Sequence, residues 1–199
     1  MPGSLEVVCG CMYSGKSDRL LWLVDRARYA KQPADLFKPA IDTRYGKNKV
    51  VTHNGVDLPC ISAPQDDPEW ILRSWSGNPD KFKGGIWVSD WSWDAKVIAI
   101  DEVQFFAPAI VQVCQTLVAA GKRVIVAGLD LNYKAEPFGS MPHLLALADK
   151  VDKLTAHCTV CGGVATRTQR LTASHELVEL GSFGTYDARC HDHFSIPSD

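Results

Sequence analysis

The chain has 199 residues, a formal net charge of −2, 46% hydrophobic residues and seven cysteines. That length supports one sizeable core with a small satellite unit, and the near-neutral charge excludes nucleic-acid binding driven by bulk electrostatics. No apolar run reaches the length of a membrane span, and the odd cysteine count, with Cys9, Cys60 and Cys114 inside apolar runs, argues against a disulfide framework. The expectation is a cytoplasmic chain with no leader, no membrane segment and no nucleic-acid partner.

In chain order, Ser4 to Gly10 (SLEVVCG) reads as a short buried strand. It runs into GCMYSGKS, Gly10 to Ser17, and then into Leu20, Leu21 and Val24 at near-helical spacing. Strand, loop and helix are the context that a phosphate-binding G-x-x-x-x-G-K-S loop requires. Gly10 and Gly15 allow successive N–H groups to point into one concavity, Lys16 can reach terminal phosphates, and Ser17 can hold magnesium at the helix mouth. The plainer alternative is a glycine-rich turn between packed elements.

A second strand is expected at Leu36 to Lys38. The third, KVIAID at Lys96 to Asp101, closes on Asp101 and Glu102. An acid ending an apolar strand suits magnesium beside a phosphate loop, although such acids also merely cap strands. Glu102 can then orient water or accept a proton from a hydroxyl. The two side chains diverge within a strand and converge only if the strand ends at Asp101. Pro108 to Gly121 has helical spacing, with proline near its start and glycine at its end. Arg123 to Asp130 reads as a fourth strand, and Gly139 to Leu154 as one more helix. Strands alternating with helices predict a parallel sheet covered on both faces. The composition then changes, which places a boundary at about residue 152: an α/β unit, 1–152, and a metal-binding unit, 153–199.

In that second unit, C-T-V-C at Cys158 and Cys161 and C-H-D-H at Cys190 and His193 form two ligand pairs of equal spacing. Four such ligands suit a structural zinc ion. His191 is the spare histidine, because it follows Cys190 too closely for the usual turn. The segment 162–189, tied at both ends, is a natural substrate lid.

These segments resemble the zinc-containing thymidine kinases shared by bacteria and the animal cytosol. GCMYSGKS, FKPAIDTRYGKNKVVTHNG (Phe37 to Gly55), IDEVQFF, VAGLDLNYKAEPFG, LTAHCTVCGGVATRTQRL and GTYDARCHDH occur in that family's order, nearly end to end. The resemblance implies a P-loop, RecA-like α/β fold with a small C-terminal zinc ribbon carrying a lasso-like lid. It implies transfer of the γ-phosphate of ATP to the 5′-hydroxyl of thymidine, feedback inhibition by thymidine triphosphate, and a homotetramer. By position Glu102 is then the general base. Gly10, Met12, Tyr13, Ser14, Gly15, Lys16, Ser17 and Arg44 face the phosphates, with Ser17 and Asp101 on magnesium. Met12, Asp42, Arg44, Glu102, Phe105, Leu129, Tyr133, Phe138, Thr168 and Tyr186 surround the nucleoside, and Cys158, Cys161, Cys190 and His193 bind structural zinc.

The chain departs from the family pattern in places. His193 stands where cysteine is common, Asp18 follows the loop serine, and Glu179 replaces an apolar lid residue. The connection Pro68 to Lys96 is long and carries Trp70, Trp75, Trp87, Trp91 and Trp93. It reads as an extra helical turn and hairpin on the sheet edge, or as an aromatic contact surface. Two other classes fit parts of the pattern: a nucleotide switch or hydrolase, for which no mobile element is evident, and a zinc-ribbon nucleic-acid module, for which the ribbon's charge is too mixed.

Overall fold

In the computed structural model of the chain, residues 2–44, 46, 48–52, 54–75, 95–174, 176–179, 181 and 184–196 are described. The first half runs β1 (Ser4–Gly10), α1 (Lys16–Tyr29), β2 (Ala34–Pro39), β3 (Lys49–Val51), β4 (Asp57–Pro59), β5 (Ile61–Ala63) and α2 (Trp70–Trp75). The second half runs β6 (Val97–Ile100), α3 (Ile110–Ala119), β7 (Arg123–Gly128), α4 (Met141–Leu147), β8 (Lys150–Leu154), β9 (Ala156–His157), β10 (Val164–Ala165), β11 (Arg167–Arg170) and β12 (Tyr186–Arg189). One six-stranded sheet has the order β5-β2-β6-β7-β1-β8. Its neighbours all pair in parallel, as the alternation of strands and helices predicted.

Side chains alternate across this sheet and build two cores. Val7, Cys9, Ile98, Ile100, Val124 and Val126 point to one face, where Ile110, Val113 and Leu117 of α3 and Met141 and Leu144 of α4 cover them. Val8, Leu36, Ala99, Ile125 and Ala127 point to the other, under Leu20, Leu21, Val24 and Ala27 of α1. Burial on both faces is why these strands read as continuous apolar runs.

The segment expected to be a single helix from Gly139 to Leu154 is instead α4 followed by β8. Ala148 has extended backbone. Asp149 then joins the sheet twice: its N–H donates to the Leu5 carbonyl at 2.9 Å, and its carboxylate accepts from the Leu5 N–H at 2.8 Å. Tertiary pairing overrides helical spacing here. Because β8 pairs with β1 from Lys150 to Leu154, the sheet continues through residue 152, and the smaller unit begins with β9.

That unit is two short antiparallel pairs, β9–β10 and β11–β12. Its core is thin: Ala156, Cys158, Ala165 and Ala188, joined by Cys11 from the loop after β1. Of the tryptophan-rich stretch, α2 supplies one helical piece, with Trp70 packed on the core. The expected hairpin and contact surface around Trp87, Trp91 and Trp93 fall outside the described residues.

Candidate active site

The site forms where β1, β2, β6 and β7 end, the usual ligand edge of an open parallel sheet. After β1 the chain turns at Gly10 (φ 147°), where a β-carbon would stand 2.3 Å from the Leu154 carbonyl oxygen. Gly15, in the left-handed region at φ 80°, caps α1. The loop between them is bonded inward: Lys16 Nζ donates to the Cys11 carbonyl at 2.7 Å and Ser14 Oγ to the same oxygen at 2.8 Å. Lys16 is buried; burial pushes its ammonium down, and the Glu102 carboxylate opposes that shift.

Strand β6 ends at Ile100, so Asp101 and Glu102 are free of its alternation. Ser17 Oγ donates to Asp101 Oδ2 at 3.1 Å, and the Glu102 N–H donates to Asp101 Oδ1 at 3.0 Å. Burial, and then the neighbouring Glu102 charge, push the Asp101 carboxyl up to about 7. Glu102 itself has φ 48°, a left-handed conformation that costs a non-glycine residue about 1–3 kcal/mol and persists only where neighbours enforce it. Here Gln104 Nε2 donates to Glu102 Oε2 at 2.6 Å, and Arg44 Nη2 donates to Oε1. Burial would raise the Glu102 carboxyl; the Arg44 guanidinium, followed by Lys16, outweighs burial and holds it below the usual range.

Arg44 reaches Glu102 from the loop after β2. Asp42 grips it there, accepting from Arg44 Nε at 2.8 Å and Nη2 at 3.2 Å. Lys38, almost wholly buried, ties down the next stretch by donating to the carbonyls of Gly46 at 2.6 Å and Lys49 at 2.9 Å. Asp18 Oδ1 accepts from Asn54 Nδ2 at 3.0 Å, joining α1 to the turn of the β3–β4 hairpin.

Two cavities meet at these residues. One is lined by the phosphate loop (Met12, Tyr13, Gly15, Lys16, Ser17) and by Lys38, Asp42 and Asp101. The other is lined by Phe105, Leu129, Tyr133, Phe138, Thr168 and Tyr186 with Leu177, Val178, Glu179 and Gly181. Met12, Arg44 and Glu102 line both. Of the expected nucleoside residues, Asp42 lines the phosphate-side cavity and not the other, and there it holds Arg44. Gly10 and Ser14 shape the loop from behind.

The second cavity is aromatic. Phe105 and Phe138 pack edge to face at 5.7 Å, and Met12, Leu129, Tyr133, Phe138 and Tyr186 form one apolar cluster. Its far wall is stitched to the phosphate loop. Thr168 Oγ1 accepts from the Met12 N–H at 3.0 Å, the Tyr13 hydroxyl donates to the Tyr186 carbonyl at 3.1 Å, and Cys11 Sγ faces the Ala165 carbonyl at 3.4 Å.

The ligand atoms of Cys158, Cys161, Cys190 and His193 all lie within 4.8 Å of one another. A tetrahedral zinc with Zn–S near 2.3 Å sets its sulfurs about 3.8 Å apart. Cys161 and Cys190 are separated by 3.8 Å, and His193 Nδ1 lies 3.1 Å and 3.9 Å from Cys190 and Cys158. The four donors therefore fit a zinc ion, and His191 is not in the cluster.

The thymidine kinase family model matches residues 3–194. The chain belongs to the thymidine kinase family. Curated relatives carry that name. The protein from Deinococcus radiodurans is 50% identical over 94% of this chain and 87% of its own length. The one from Coprothermobacter proteolyticus is 44% identical over 98% and 92%. Among solved structures, a genome-packaging NTPase of Sulfolobus turreted icosahedral virus 2 aligns over 80% of this chain and 76% of its own with 14% identity and a TM-score of 0.43, a likeness too slight to inform the site.

This thymidine kinase family member also uses residues that sequence reasoning passed over. Gln104 is one: besides holding Glu102, its Oε1 accepts the Leu129 N–H at 3.1 Å and so ties the chain just after β7 to Glu102. Its place two residues after Glu102 was the available signal. Lys38 and Arg170 gave none, since each looks like an ordinary surface cation until its partners are known.

Proposed function

We propose that the chain phosphorylates thymidine, transferring the γ-phosphate of ATP to the 5′-hydroxyl and producing thymidine monophosphate. The observation that carries this reading is the position of Glu102 on the wall shared by the two cavities. Phosphoryl transfer needs a donor held in one place, an acceptor hydroxyl in another, and a carboxylate where they meet.

In this reading the backbone of the loop from Gly10 to Gly15 cradles the donor phosphates with Lys16, while Ser17 and Asp101 hold magnesium. The magnesium ion, when bound, supplies charge neutralisation at the phosphates. The nucleoside sits against Phe105, Leu129, Tyr133 and Phe138 under the lid, with Met12, Thr168 and Tyr186 at its other side. Glu102 accepts the 5′-hydroxyl proton as the oxygen attacks phosphorus. Arg44, held by Asp42, places a permanent cation beside the transferring group, and its planar fork suits phosphate oxygens. Cys158, Cys161, Cys190 and His193 would hold a structural zinc ion that closes both ends of the lid segment.

The contiguity of the cavities supports feedback by thymidine triphosphate, whose base fits the nucleoside cavity while its phosphates extend towards the donor loop. Division into a sheet unit and a zinc-stapled lid unit, cytoplasmic residence and assembly as a homotetramer complete the proposal. Incubation with ATP, Mg²⁺ and each deoxynucleoside in turn tests the reaction. Thymidine monophosphate should form in excess over the other products; ATP hydrolysis with no phosphorylated nucleoside would sink the proposal.

A further inference from the structure

Arg170 ends β11, and its side chain is 0% exposed. A buried guanidinium is costly unless its donors are satisfied, and these donors converge on the lid. Nη1 donates to the Ser174 carbonyl at 3.0 Å and to that of Glu176, and Nη2 reaches the Leu177 carbonyl at 3.5 Å. Nη2 also donates to the Tyr186 hydroxyl at 2.7 Å, which in turn donates to the Glu179 carbonyl at 2.9 Å. The guanidinium carbon stands 3.7 Å from the centroid of the Tyr133 ring, a contact that stabilises a desolvated cation.

Arg170 Nε has no hydrogen-bond partner among the described residues, but the Glu179 carboxylate faces it at 3.6 Å. The facing oxygen, Glu179 Oε2, also accepts from Thr172 Oγ1 at 2.7 Å. Glu179 thus occupies its unusual lid position as the counter-charge of a buried cation. Leu177, Val178, Glu179, Tyr133 and Tyr186 all line the nucleoside cavity, whereas Arg170 does not.

We infer that Arg170 is the positioning residue of the substrate lid, holding the backbone of Ser174, Glu176 and Leu177 and the rings of Tyr133 and Tyr186 in register around the nucleoside. The inference rests on the thymidine kinase reading of the cavity. The bonds of Arg170 run to lid carbonyls, to Tyr186 and to Glu179, so its effect falls on nucleoside binding and not on the chemical step. Only arginine can serve, because one planar fork spans three carbonyls and a hydroxyl while its face lies on a ring; a lysine ammonium is a point donor.

The test uses the full chain as Arg170→Met and Arg170→Lys, with wild type assayed in parallel. Thymidine KM should rise on the order of tenfold or more in Arg170→Met, while kcat at saturating thymidine and the KM for ATP stay within about threefold of wild type. Arg170→Lys should recover only part of the thymidine affinity, and zinc content should remain equal in all three proteins. If Arg170→Met does not fold, Arg170→Lys carries the same comparison. A thymidine KM within about twofold of wild type in the folded variants would overturn the inference. So would equal rises in both KM values, which mean general destabilisation. Wild type that makes no thymidine monophosphate removes the underlying reading; wild type that makes it beside unaffected variants removes only the role of Arg170.

Discussion

Glu102 combines burial, a left-handed backbone and two charge-assisted or amide hydrogen bonds, and each has a separate source in the chain. The end of β6 frees it from the pleat, Gln104 fixes one oxygen, and Arg44 fixes the other. Met12 is the neighbouring residue with the most to say about selectivity, since it lines both cavities. Truncation by Met12→Ala removes a long flexible side chain from the wall, so thymidine analogues with larger 5-substituents should gain relative to thymidine itself. Ranking a series of 5-substituted deoxyuridines by kcat/KM on both proteins checks this; an unchanged ranking removes Met12 from that wall. At this scale Lys16, Asp101 and Glu102 were legible because their chemistry is local, within one loop or at one strand end. Arg170 and Lys38 were not, because burial turns a cation into a structural anchor, and burial depends on partners distant in sequence.

Among the elements, the four apolar strands and the helix after Phe106 were legible from periodicity, and β5, β8 and the β3–β4 hairpin were not. Strand β8 is half exposed and rich in lysine and aspartate, so it carries little apolar signal; pairing with β1 makes it a strand. The paired cysteines were legible because metal spacing is a property of short turns. The proposed lid segment has both ends at that cluster, and Thr168 and Tyr186 within it accept bonds from the phosphate loop. Cys161→Ser should therefore lower bound metal below one ion per chain and raise thymidine KM more than ATP KM, because metal loss releases the loop ends. Metal analysis and both KM values on one preparation decide the point: full zinc retention removes Cys161 from the ligand set. His191→Ala, outside the cluster, should keep its metal.

For the whole molecule, the sheet carries two cores of its own, beside the thin core near the Cys/His cluster. One buried acid works against that stability. Burial pushes the Asp35 carboxyl on β2 up to about 6, offset only in part by Arg28 and Lys122. A raised carboxyl pKa means that the folded chain binds the proton more tightly than the unfolded one. This contribution favours folding at low pH and is lost as pH rises through about 6. Asp35→Asn should then raise the thermal midpoint more at pH 8 than at pH 4, in melts run at both values; an equal or smaller gain at pH 8 contradicts the assignment. Among the described residues no helix is long and apolar enough to cross a membrane.

The sheet's C-terminal edge brings two cavities together around one carboxylate, and the proposed reaction stands on that carboxylate. The most direct measurement is thymidine monophosphate formation by Glu102→Gln, with thymidine affinity determined on the same preparation. The amide keeps the shape and cannot take the hydroxyl proton, so turnover should fall by about 10²–10⁴ while thymidine still binds. Near-normal turnover in Glu102→Gln would contradict the account.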